Sequence, residues 1–158
     1  MSIFPTKILL ATDGSEEATL AAQTAVDIAD KTNSELHVVH VGVGVLDYGY
    51  LSYDPSYAVP YYVYTQQIQE SLEQQARKAL DAEVERVKAA GGRVVEAHLS
   101  IGSPDAEIVK LADDIGAGLI VMGSRGLGGI RRALIGSVSD SVVRHAHCPV
   151  LVVREEKG

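Results

Sequence analysis

The sequence predicts an α/β domain built on a parallel sheet, and three observations carry that expectation. Short apolar runs alternate with segments of helical periodicity along the whole chain. Three of the runs, "LIVM" among them, are nearly continuously apolar, as strands are when helices cover both faces of a sheet. The chain has 158 residues, the length of one domain, which buries about 70% of the surface its unfolded form exposes.

Five runs read as strands: "KILLAT" over 7–12, "ELHVVHV" over 35–41, "RVVEAHL" over 93–99, "LIVM" over 119–122 and "PVLVV" over 149–153. Between the first two, Ala18, Ala21, Ala22, Ala25, Ile28 and Ala29 share one helical face. Ser15 reads as the N-cap of that helix, and Glu16 and Glu17 suit the positive end of its dipole. A longer helix follows from Ile68, Leu72, Ala76, Leu80, Val84 and Val87, and "AAGG" stops it at Gly91 and Gly92. Ile108, Leu111, Ala112 and Ile115 mark a third, with Pro104 at its start. A fourth begins near Gly136 and runs through Val138 and Val142 towards His145, ending before Pro149. Parallel strands joined by right-handed helical crossovers bind ligands beyond their carboxyl ends, where the strand order reverses.

The single domain, residues 1–158, carries one long connection. Residues 42–65 hold all seven tyrosines, and loops beyond about 12 to 15 residues are uncommon in compact domains. The stretch reads as a cover whose tyrosines pack over a helix, or as a lid or partner-binding surface.

Composition narrows the function class. Apolar runs fall well short of the roughly 20 residues that span a bilayer, so no membrane partner is expected. The opening "MSIFPTKILLATDGS" lacks a basic region and a small-residue cleavage site, and reads as a first strand rather than a signal peptide. Cys148 is the single cysteine, which rules out an intramolecular disulfide and points to a reducing cytoplasm. A net charge of -7 argues against a nucleic-acid binder, which would show a basic face. Arg125, Arg131 and Arg132 nevertheless cluster locally, where a small anion would fit.

That cluster lies in "GSRGLGGIRRALIGSVS", residues 123–139. The P-loop pattern fails there, because Gly129 stands where the lysine belongs. The dinucleotide pattern G-x-G-x-x-G fails as well, since Gly126 and Gly128 lead to Arg131, and the stretch follows the wrong strand. What remains is Gly123, two residues, Gly126, nine residues, Gly136 and Ser137. Bare glycines admit an anion to the backbone N–H groups, a helix start attracts phosphate, and Ser137 or Ser139 offers a hydroxyl. On the glycines alone, a flexible loop with ordinary capping at Gly136 and Ser137 is the better explanation, because such motifs often match by chance.

The same spacing resembles the nucleotide-binding signature of the universal stress protein family. "ILLATDGSEEA" is similar to that family's first strand and turn, "HVVHV" to its second strand, and "GSVSDSVVRHAHCPVLVV" to its last helix and strand. The resemblance implies an open five-stranded parallel sheet of order 3-2-1-4-5 with helices on both faces. This is a Rossmann-like fold of the adenine nucleotide alpha hydrolase-like kind. It also implies ATP as ligand, with any Mg²⁺ held mainly by the phosphates. Asp13 then matches a carboxylate for the ribose hydroxyls, and Val41 a backbone that reads the adenine edge. Gly123, Gly126, Gly136 and Ser137 match ribose and phosphate contacts, with Val138 and Ser139 adjoining. Ala11, Thr12 and Met122 at the strand ends, and Arg125 and Gly128 in the glycine stretch, complete the implied contacts. Family members pair through the last strand, which implies a homodimer through residues 149–153, where an apolar edge invites a partner strand.

Other clusters suggest less. "HAHC", with His145, His147 and Cys148, has no second cluster at zinc spacing, so no metal site is expected. His40 and His98 read as satisfied or edge histidines within strands, and Asp113 and Asp114 as a solvated helix face. Catalytic residues are not evident, since neither a Ser-His-Asp set nor paired carboxylates stand out. The expectation is a cytoplasmic ATP-binding sensor or regulator with at most slow hydrolysis. The alternatives are a module that binds AMP or cyclic AMP, or no nucleotide at all, and a true ATPase or phosphotransferase.

Overall fold

A computed structural model describes residues 2–13, 16–42, 44, 61–124 and 136–154. Five parallel strands, β1 (Lys7–Ala11), β2 (Glu35–Gly42), β3 (Val94–Ile101), β4 (Leu119–Gly123) and β5 (Val150–Val153), form one sheet of order β3-β2-β1-β4-β5. Helices α1 (Glu16–Thr32), α2 (Tyr61–Ala89), α3 (Pro104–Ile115) and α4 (Ser137–His145) alternate with them.

Strand alternation builds two cores from one sheet. Ile8 and Leu10 of β1, Leu36 and Val38 of β2, and Val121 of β4 pack with the alanine face of α1 and with Leu80 and Val87 of α2. Leu9, Ala11, Val39, Ile120 and Met122 face the other way, against Ile108 and Ala112 of α3 and Val142 of α4. Continuous apolar strands are therefore the consequence of cover on both faces.

Pro104 opens α3, Gly116 in the left-handed region closes it, and Gly136 is the N-cap of α4. The helix after β2 starts earlier than its periodicity suggests. Tyr61 directly follows Pro60 and opens α2, while Gly42 still belongs to β2, so the connection is shorter at both ends than 42–65. Tyr61, Tyr62 and Tyr64 fall among the first four residues of α2, where a run of aromatic residues hides the helical spacing in the sequence. Ser15 and the greater part of the tyrosine-rich stretch lie outside the described residues.

Candidate functional site

The strand order reverses between β1 and β4, and of the expected site residues Ala11, Thr12, Asp13, Met122 and Gly123 lie at the carboxyl end of that pair. Ala11 and Met122 are register partners there, both buried beneath α3 and α4. Their side chains belong to the core, leaving the backbone at the strand ends. The chain then leaves β1 under restraint from β2. The Thr12 N–H donates to the Val39 carbonyl at 3.3 Å, and His40 Nδ1 lies 3.3 Å from the Thr12 carbonyl. A carbonyl only accepts, so that ring nitrogen carries the proton. His40 is thus satisfied, and its bond steadies the residue before half-buried Asp13.

Ser124 ties the opposite wall together. It is fully buried, and its hydroxyl donates to Glu17 Oε2 at 2.6 Å. Its N–H donates to the Val153 carbonyl at 3.0 Å, and its own carbonyl accepts from the Gly136 N–H and, at 2.9 Å, from the Ser139 hydroxyl. One residue therefore joins the end of β4 to α1, β5 and α4. A hydrogen bond to a carboxylate inside a protein is stronger than a neutral one, so Glu17 anchors this junction firmly. Sequence reading assigns Glu17 only to the helix dipole and passes over Ser124. No pattern within the chain signals a contact 107 residues long.

Gly123 has a packing reason to be bare. A Cβ there would meet the backbone and Cβ of Glu17 at 3.2 Å, closer than ordinary contact. The glycine lets α1 lie directly on the end of β4. Gly42 plays the same part on β2, where a Cβ would come within 2.7 Å of Ala76 on α2. Gly136 differs, because its φ of -69° is open to any residue.

At the start of α4, Ser139 is buried and its hydroxyl points inward, 2.9 Å from the Ser124 carbonyl and 3.1 Å from that of Gly136. Ser137 is exposed, Val138 packs against the second core, as Val41 does, and no side chain caps the helix. The first N–H groups of such a helix lack intrahelical partners and carry its positive dipole end. Arg125, Gly126 and Gly128 lie outside the described residues.

Beyond α4, His145 Nδ1 lies 2.8 Å from the Ser141 carbonyl, whereas His147 Nδ1 lies 2.9 Å from Asp113 Oδ2. The two imidazoles therefore serve different partners, and Asp113 is engaged with one of them. Burial, reinforced by Asp113, pushes the Cys148 thiol up. Asp105 links α3 to α4. Hydroxyls of Ser103 at 2.6 Å and Ser141 at 2.7 Å donate to it and hold its pKa down at about 2.

Residues 5–154 match the model of the universal stress protein family. The chain belongs to that family. A relative from Staphylococcus epidermidis, "Putative universal stress protein SERP1273", is 40% identical over 95% of this chain and 84% of its own. Universal stress protein UspA from Lactobacillus plantarum is 26% identical with a TM-score of 0.75, covering 97% of this chain and 100% of its own. A universal stress protein solved in complex with cAMP is 27% identical with a TM-score of 0.66, over 96% of this chain and 98% of its own. The family's open sheet of order 3-2-1-4-5 agrees with the strand order found here. No described helix is long and apolar enough to cross a membrane.

Proposed function

We propose that this universal stress protein binds ATP across the carboxyl ends of β1, β2 and β4 and acts as a nucleotide-dependent regulator in the cytoplasm. The observation that carries the reading is the start of α4. It is free of a side-chain cap and hydrogen-bonded to the end of β4, the strand that pairs with β1, whose carboxyl end leads into Asp13. A helix start of this kind suits phosphate, and a half-buried carboxylate suits the hydroxyls of a ribose. In this reading the Val41 backbone takes the adenine edge, and Ser137 with the residues from Gly123 to Gly128 takes the phosphates. Bound ATP would bring Mg²⁺ on its own phosphates. No general base is assigned among the described residues, so hydrolysis is expected to be slow.

A second reading, AMP or cyclic AMP as the physiological ligand, is favoured by the cAMP-bound relative. The protein is also proposed to dimerise through β5, whose Leu151 is exposed on an apolar strand at the sheet edge.

Mass spectrometry of nucleotide released from gently purified protein identifies the ligand. Calorimetry with ATP, ADP, AMP and cyclic AMP then ranks the four. ATP is expected to bind tightest, and Asp13→Ala to weaken it roughly 10- to 100-fold, as loss of hydrogen bonds to a charged group does. Failure of every adenine nucleotide to bind at millimolar concentration removes the reading, and preference for cyclic AMP promotes the second. Sedimentation of Leu151→Lys against the parent chain tests the dimer.

A further inference from the structure

His37, Glu96 and His98 converge at the other end of β2, on the edge it forms with β3. His37 Nδ1 lies 3.1 Å from His98 Nε2, and Glu96 Oε2 lies 3.9 Å from that same His98 nitrogen. All three ligand atoms fit within 4.8 Å of one another. Their spacing along the chain hides them, because 59 residues separate His37 from Glu96 and only the register of a parallel pair brings them together.

A bulge makes the cluster. Leu36 pairs with Val94 but His37 pairs with Glu96, leaving Val95 as the extra residue. Side chains alternate along a strand, so an unbulged β3 would turn Glu96 and His98 onto the opposite face from His37. With the bulge, all three share the face that carries Val39. Val95 itself is left half-exposed.

We propose that His37 Nδ1, His98 Nε2 and the Glu96 carboxylate form a binding site for a divalent transition-metal ion of zinc-like preference. Two imidazoles and a carboxylate are the donors such an ion favours, with water in the fourth position. Two nitrogens on one tetrahedral zinc lie about 3.3 Å apart, from bonds of about 2.0–2.1 Å. The observed 3.1 Å is close to that separation. The distal nitrogen of His37, Nε2, faces Glu35 Oε2 at 3.4 Å. A carboxylate there orients a ligating histidine and fixes its tautomer, as outer partners in metal sites do.

Without an ion, the rings share a proton. Their centroids are 5.4 Å apart with planes inclined by 19°. That separation is the nitrogen–nitrogen distance plus one ring radius on each side, so the imidazoles meet edge to edge. An ion replaces the shared proton, and His98, the less buried of the two, turns towards Glu96 to converge on it. Desolvation of His98 favours its neutral form, despite the opposing pull of Glu96. The two carboxylates, Glu35 and Glu96, balance the charge of a divalent ion.

Titration of Zn²⁺ into the full chain at pH 7.5, by calorimetry and by Co²⁺ absorption, tests this. The expected result is one ion per chain, with affinity falling as the pH drops and protons compete for the ligands. Glu96→Gln and His98→Gln should each weaken binding at least tenfold, while His147→Gln leaves it unchanged. Glu96 is exposed, so its substitution spares the fold. Absence of micromolar binding overturns the site and leaves a proton-sharing pair. Binding that survives Glu96→Gln and His98→Gln, or that is lost with His147→Gln, overturns it as well. None of these outcomes depends on nucleotide binding at the opposite end of the strands.

Discussion

The two ends of the sheet are organised by different chemistry. At the carboxyl end, fully buried Ser124 fastens α1, α4 and β5 to the end of β4 through backbone groups and one carboxylate. At the amino end of the β2–β3 edge, ionisable side chains meet one another, and Glu35 and Glu96 remain mostly in solvent. The first end presents the N–H groups at the start of α4, which suit an anionic ligand. The second offers lone pairs from imidazoles and carboxylates, which suit a cation. A sheet whose strands all run the same way keeps these ends distinct, so two unlike ligands would not compete.

Four substitutions or conditions sharpen the contrast. Gly123→Val should have the largest effect, because the added carbons press on Glu17 and force α1 off the end of β4. Overpacking of this kind costs about 1–3 kcal/mol in chemical denaturation, and nucleotide affinity should fall with it. Unchanged stability would show that α1 moves freely there. Ser124→Ala removes the donor to Glu17 while sparing the backbone bonds, with an expected loss of about 2 kcal/mol. A change within experimental error would mean that the backbone alone holds the junction.

The amino end should respond to mild acid instead. The folded-state pKa of His98 lies below its ordinary 6.5, so its contribution to stability is fully present above 6.5. It is lost as the pH falls through the lowered value. The groups facing it are His37, Glu96 and, through His37, Glu35. In metal-free buffer, His98→Gln should flatten the stability profile between about pH 7 and 5. An equally steep profile would assign the loss to another group.

The smallest effect belongs to Asp105. Its pKa drops from 3.8 to about 2, so stability is present above 3.8 and disappears as the pH passes through about 2. The group is largely open to solvent, and screening keeps the contribution well below about 1 kcal/mol. Ser141→Ala should shift the Asp105 titration upward by nuclear magnetic resonance and scarcely change the melting temperature.

Much of the fold was legible in the residues. "KILLAT", "LIVM" and "PVLVV" announce strands covered on both sides, and Pro104 and Gly136 mark helix starts, because each depends on its own neighbours. The helix at Tyr61 was not legible, since a run of aromatic residues has no period to read. Around the candidate site, Asp13, Gly136 and Ser137 stood out by position, while Glu17 read only as a dipole partner and nothing marked Ser124.

Local spacing by itself therefore determined the alternation of strands and helices and the family the chain resembles. Tertiary structure alone decided that Gly123 is bare for α1, that Ser139 turns inward, and that Glu17 reaches Ser124. It also decided that one extra residue in β3 brings Glu96 and His98 round to His37. The reason is physical: these contacts depend on strand register and helix docking, which join residues the sequence keeps far apart.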